Sequence, residues 1–289
     1  MKHLKIALLA CLFSTQMLWA ADKIKPYIQS TAIYESSSAA INAIKNSLQR
    51  AGFSLSGQYS PYPGATVMAV THANLLEAAG LSENGGFGAV IRVSVTESSN
   101  GIQVAYQNPE YLMHMYQLKD ISSLAGQLSA ALGAGEQFGA EKGMSPKQLK
   151  KYHYMMGMPY FDDVDELAEY DSHESALDSI EQNLKAGVAG TSKVYRVDVP
   201  GKNVTLFGVA IESGEGADEK VMNTIDTGIL KHTAHLPYEI LVNNGEVIAL
   251  RGRFRIAQSF PDLSMGSFMK IRSAPGSIKD TLEAVAVAN

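Results

Sequence analysis

Tyr34-Glu-Ser-Ser-Ser-Ala-Ala-Ile-Asn-Ala-Ile-Lys-Asn-Ser-Leu48 returns in altered form as Tyr170-Asp-Ser-His-Glu-Ser-Ala-Leu-Asp-Ser-Ile-Glu-Gln-Asn-Leu184. Both stretches carry a tyrosine, an acid and a serine. Ala40, Ile41, Ile44 and Leu48 then match Ala176, Leu177, Ile180 and Leu184. That spacing is the apolar stripe of a helix packed on a core, and its recurrence reads as an internal duplication.

Working outward, each copy shows the same order of elements. In the first, a strand over Tyr27–Tyr34 precedes a helix capped by Ser37 or Ser38 and stopped at Gly52. Strands over 54–62 and 66–72 flank Pro63-Gly64, a turn pair in which proline fixes one torsion and glycine accepts positive φ. A short helical piece follows over 73–79. Strands over 89–97 and 102–107 then enclose Asn100-Gly101, a hairpin signal, and a helix over 122–132 lies on the sheet. In the second copy the strand is expected over 163–170, the helix over 174–185, and strands over 192–199 and 204–212 around Pro200-Gly201. Val221, Met222, Ile225 and Ile229 predict a longer inserted helix over 218–230. A strand over 238–243 leads into Asn244-Gly245, and Ile278, Leu282 and Val285 mark a closing helix. The glycine-rich stretch between the copies reads as a linker with a mobile first half, and Pro146 can open two helical turns. The expected boundaries are therefore 1–20, 21–132, 133–160 and 161–289.

Residues 1–20 have the layout of a secretory signal peptide: Met-Lys-His-Leu-Lys, an apolar run over Ile6–Phe13, and Leu18-Trp19-Ala20 before polar residues. Cleavage after Ala20 would place the mature chain in a bacterial periplasm. Leu8-Leu9-Ala10-Cys11 resembles a lipoprotein box, but cutting there would leave too short an apolar core. Cleavage removes the only Cys, so disulfides and thiolate chemistry are excluded from the mature chain. Lys2 and Lys5 also leave, so 24 basic and 29 acidic residues become 22 and 29, a net charge of −7. That balance disfavours nucleic acid, and no later run is apolar enough to span a membrane.

Several short phrases resemble the family catalogued as domain of unknown function 302 (DUF302). They are Arg50-Ala-Gly-Phe53 and Lys185-Ala-Gly-Val188 at helix ends, Leu206-Phe207-Gly208 closing a strand, Leu236-Pro237 opening one, and Tyr106-Gln-Asn108-Pro109. The features are divided between the copies, and the second has Gly252-Arg253 where Asn-Pro is expected. The resemblance implies the fold of each copy: a curved antiparallel sheet with helices on one face, the TATA-binding-protein-like α+β fold. It implies no established reaction, and fold alone carries no function.

No nucleophile elbow or recognisable triad occurs, so the chain reads as non-catalytic and without a cofactor. Arg251-Gly-Arg253-Phe-Arg255 alternates as on a strand, which would put three guanidiniums on one face as an anion grip. Its structural alternative is a charged edge strand guarding against aggregation. Met113-His114-Met115 and His153-Tyr-Met155-Met156-Gly-Met158 bring five methionines and two histidines into two short stretches. Thioethers and imidazoles are copper(I) ligands where cysteine is absent, whereas the alternative is that methionine fills irregular gaps between domains. His232 and His235 read as loop or capping residues. Asp162, Asp163, Asp165 and Glu166 read as a solvated strand start, because the spacing does not suit a calcium loop. The expectation is an exported protein that binds a small ligand or a periplasmic partner at its sheets or in the cleft between the copies.

Overall fold

The computed structural model describes residues 23–287; the expected signal peptide lies outside them. The chain is α+β, with two antiparallel sheets. In the first half, β1 (Tyr27–Gln29) leads to helix α1 (Ser37–Arg50), then β2 (Ser54–Tyr59), β3 (Ala65–Thr71), α2 (Ala73–Ala79), β4 (Ile91–Ser98), β5 (Gly101–Gln107), α3 (Pro109–Met115) and α4 (Ser122–Leu132). A two-residue strand, β6 (Gln137–Phe138), and a single turn, α5 (Pro146–Leu149), follow. The second half runs β7 (Val164–Glu169), α6 (His173–Ala186), β8 (Thr191–Asp198), β9 (Val204–Ile211), α7 (Asp218–Ile225), β10 (Tyr238–Asn243), β11 (Glu246–Leu250), α8 (Gly252–Ser259), α9 (Met265–Lys270) and α10 (Ala274–Ala286). The sheet orders are β2-β3-β4-β5-β1-β6 and β7-β11-β10-β9-β8. Apart from β6, these are one topology written in opposite directions.

The repeated stretch forms α1 and α6. Ser36, one residue earlier than expected, caps α1 by accepting from the Ala39 amide. Ser172 caps α6 in a box with Ser175, and Gly187 ends it in the left-handed region. Ala40, Ile44 and Leu48 are the buried stripe of one helix, and Ala176, Leu177, Ile180 and Leu184 that of the other.

Strand alternation then divides each sheet into two faces. Met68, Val93 and Tyr106 stand in register across β3, β4 and β5 and pack with Ile44, Leu48, Leu124 and Leu128. Phe207, Ile240 and Ala249 do the same across β9, β10 and β11 under Ile180, Leu184 and Leu282. The opposite faces turn toward each other. Leu206, Leu241, Ile248 and Leu250 of the second half belong to the apolar cluster of the first, so the halves share one interior. Each half also covers its neighbour with a single turn, since Gly85–Gly88 packs on β9 and β10 while Thr233–His235 packs on β3 and β4.

Edge strands β2 and β8 meet at this seam, each bulged at the matching place, between Leu55 and Gly57 and between Lys193 and Tyr195. A β-carbon on Gly57 would lie 2.1 Å from the Val194 carbonyl oxygen, so the backbone approach there requires glycine.

Three expectations need correction. Arg251–Arg255 is not a strand: β11 ends at Leu250, and residues from Gly252 onward are helical in α8. The inserted helix stops at Ile225 instead of running to residue 230, and Ile229 is 74 % exposed. The first half of the 133–160 stretch is not free, because Tyr27 and Ile28 pair with Phe138 and Gln137, and Ile24 bridges to Met144.

Candidate functional site

The segment that follows α7 lies over the first sheet. Gln103 holds Lys231 at both backbone atoms, accepting from its amide and donating to its carbonyl at 2.8 Å each. Thr96 donates to the Thr233 hydroxyl at 2.7 Å, which also meets the Tyr62 hydroxyl at 2.8 Å. Asp226 ends the helix by turning its carboxylate onto the segment. One oxygen accepts the His232 amide and the other faces His232 Nδ1, both at 2.8 Å.

The His232 ring is thereby fixed in position and enclosed by aromatic neighbours. Its centroid lies 4.6 Å from Phe260, 5.3 Å from Tyr27 and 5.6 Å from Phe138. The carboxylate on Nδ1 orients the ring and leaves Nε2 as the ring nitrogen with no hydrogen bond among the described residues. Gly139, at φ +96°, stands beside it; a β-carbon there would come within 2.9 Å of Tyr27 and 3.4 Å of His232 Nε2. His232 forms part of the wall of an open cleft of about 480 Å³. Lys25, Phe138 and Gly139 contribute from the first half and its extension; Phe260, Asp262 and Ser264 contribute from the second. The cleft thus offers aromatic faces, both signs of charge and an oriented imidazole.

A second constellation is sealed between the sheets. Arg92 Nη1 on β4 lies 3.1 Å from Glu239 Oε2 on β10, and Arg255 Nε lies 3.7 Å from the same oxygen. Tyr195 donates to the other Glu239 oxygen at 2.5 Å, and burial pushes that phenol well above its usual range. Arg255 Nη1 donates to His235 Nδ1 at 3.0 Å, which leaves the proton on Nε2 beside the Tyr238 hydroxyl at 3.2 Å. Burial, aided by Arg255, holds His235 well below the ordinary imidazole range, so it is neutral. These groups are all buried, and they join the halves.

The three arginines of the expected anion grip therefore separate. Arg251 faces Asp165 at 3.6 Å, Arg255 is buried on Glu239, and Arg253 lines two pockets with its side chain in no ion pair or hydrogen bond among the described residues. The Met and His candidates divide too. Met115 is buried, Met113 Sδ accepts the Ile121 amide at 3.4 Å, and His114 is half-buried, lowered from its usual pKa by that burial. His153 Nδ1 meets the Met155 carbonyl at 2.8 Å, and Met156 is 95 % exposed. Met155 and Met158 do share an apolar pocket, whose one charged wall is Arg253. Among the described residues no group of three or more His, Cys, Asp or Glu gathers as for a metal ion. No helix among them is long and apolar enough to cross a membrane.

Sequence reading missed Asp226, Phe260, Arg92 and Glu239. Arg92 in Ala89-Val-Ile-Arg-Val93 and Glu239 in Tyr238-Glu-Ile-Leu-Val242 were visible as lone charges within apolar strands, the signature of a strand buried on both faces.

No protein-family profile matches the chain, and no curated protein is similar to it. Among solved structures, it is similar to the crystal structure of an uncharacterized conserved protein DUF302 from Bacillus stearothermophilus. The match has 14 % identity over 37 % of this chain and 93 % of that one, with a TM-score of 0.31. A likeness that low decides neither fold nor function.

Proposed function

We propose that this chain is an exported, non-catalytic binding protein, built from two diverged tandem copies of a DUF302-type domain, that takes a small ligand in the cleft between its halves. The observation that carries the reading is His232, held at Nδ1 by Asp226 and packed at a tilt against Phe260 at the wall of a cleft lined from both halves. Oriented polar groups among aromatic walls are what small-ligand sites present. The matching strand orders and hairpin positions support the duplication, and the leader-like residues 1–20 support export to the periplasm. Copper(I) binding by the methionine and histidine clusters has less support, since the pocket that gathers Met155 and Met158 presents a guanidinium to any cation.

The test is native mass spectrometry on protein recovered from the periplasm, beside His232→Ala and Phe260→Ala. A co-purifying mass lost in both variants is the expected result, with the mature chain starting at Ala21. A wild-type protein that carries nothing and takes up nothing from periplasmic extract would overturn the reading.

A further inference from the structure

Two cavities on the far side of Phe260 and Leu263 from the His232 cleft share residues with each other. The first is an apolar pocket of about 160 Å³ walled by Tyr154, Met155, Met158, Met265 and Phe268, with Arg253 as its one charged residue. The second is an open basin of about 650 Å³ bordered by Arg251, Arg253, Arg272 and Lys279 against Asp163 and Asp165. Met158 and Arg253 line both, so the apolar pocket and the basic basin adjoin across these two side chains.

The charges of the basin are not balanced internally. Arg251 is taken by Asp165 at 3.6 Å, and Lys279 by Glu283 at 2.8 Å. Asp163 accepts the Tyr160 amide at 2.9 Å. Arg253 and Arg272 have no hydrogen bond or ion pair among the described residues. One free guanidinium, Arg253, thus stands in both cavities, and a second, Arg272, borders the adjoining basin, while the other walls of the pocket are aromatic rings, aliphatic groups and methionines. A dry cavity of about 150 Å³ is enough to hold a benzene ring. Thioethers favour the edges of aromatic rings and adapt to their shape.

We infer that this site binds an arylalkyl carboxylate, with the ring among Met155, Met158 and Met265 and the carboxylate on Arg253 and Arg272. A guanidinium accepts a carboxylate in a two-point, charge-assisted contact, and Arg253 can lay its aliphatic stem along the apolar wall while doing so. The pocket shares Phe260 and Leu263 with the wall of the His232 cleft, but His232 itself lines the cleft alone and Arg253 the pocket and basin alone.

The experiment titrates 3-phenylpropionate into the full mature chain labelled at methionine methyls and follows them by NMR. Saturable shifts confined to Met155, Met158 and Met265 are expected below about 10 mM, a range suited to a ligand of this size. Arg253→Met should weaken the carboxylate about tenfold, the worth of one charge-assisted contact. The uncharged 3-phenylpropionamide should bind both proteins equally and weakly. His232→Ala should leave the titration unchanged. Absence of saturation, equal carboxylate affinity in Arg253→Met, or loss of binding in His232→Ala would each overturn the assignment. Arg253 is exposed, so its variant tests the contact and not the fold.

Discussion

Arg92 on β4 and Glu239 on β10 form an ion pair at 3.1 Å between the two halves of the chain, each side chain 1 % exposed. Removing one member of a buried pair leaves the other uncompensated. Glu239→Gln should therefore lower stability by about 3–5 kcal/mol in urea denaturation, because it leaves Arg92 and Arg255 together without an anion. Arg92→Met should cost less, because Arg255 still faces Glu239 at 3.7 Å. The double variant should be far less damaged than the two losses added. Additive losses would mean that the pair is not coupled.

The Asp218 carboxyl accepts from the Tyr59 hydroxyl at 2.9 Å, and burial raises its pKa to about 7. The folded chain holds this proton up to about pH 7 and the unfolded chain only to about 3.8, so the contribution falls as pH rises between those values. The shift is on the order of 4 kcal/mol at most. Buried neutral His235 acts oppositely, costing stability as pH drops below its ordinary range. The two slopes oppose each other, so the informative quantity is the difference between wild type and Asp218→Asn. The variant should gain relative stability from pH 4 to pH 7 and hold that gain above. A difference that does not vary with pH would show that Asp218 titrates normally.

Gly57→Ala should cost about 1–3 kcal/mol, the range for overpacking a close contact, since the new carbon meets the Val194 backbone. Gly101→Ala is the comparison for torsional strain alone, because at φ +101° a β-carbon there meets nothing within 4 Å. Equal thermal shifts in the two variants would count against a tight seam between β2 and β8.

Expressed separately, residues 21–160 and 161–289 should each be insoluble or loosely folded. Leu206, Leu241, Ile248 and Leu250 would lose the apolar cluster that covers them, and Arg92 and Glu239 would be parted. Mixing the two pieces should restore near-ultraviolet circular dichroism. A cooperative melt from either piece alone would contradict a shared interior.

The sequence made the periodic elements legible and hid the contacts between them. The four turn pairs and the stripes of α1 and α6 are local signals, and the corresponding elements lie where those signals put them. The Arg251–Arg255 phrase was misread because alternation over five residues cannot separate strand from helix. The repeat held the answer: α3 starts at Pro109 directly after β5, and α8 starts at Gly252 directly after β11. The inserted helix was misread because Ile229 kept the helical spacing while Asp226 found partners in the His232 backbone and ring. The His232 cleft has no local signature at all, since Lys25, Phe138 and Phe260 meet only through the packing of both halves.

The hairpin registers place Ser98 opposite Gly101 and Asn243 opposite Glu246, so counting back along β4 and β10 matches Arg92 to Pro237 and Glu239 to Ser94. The partners of the buried ion pair are therefore not counterparts. In a dimer of identical chains, every such position would occur twice, and an arginine near the symmetry axis would bring a second arginine with it. Joining the halves in one polypeptide frees each wall of the seam to vary alone, so that a cation on one side can be answered by an acid on the other.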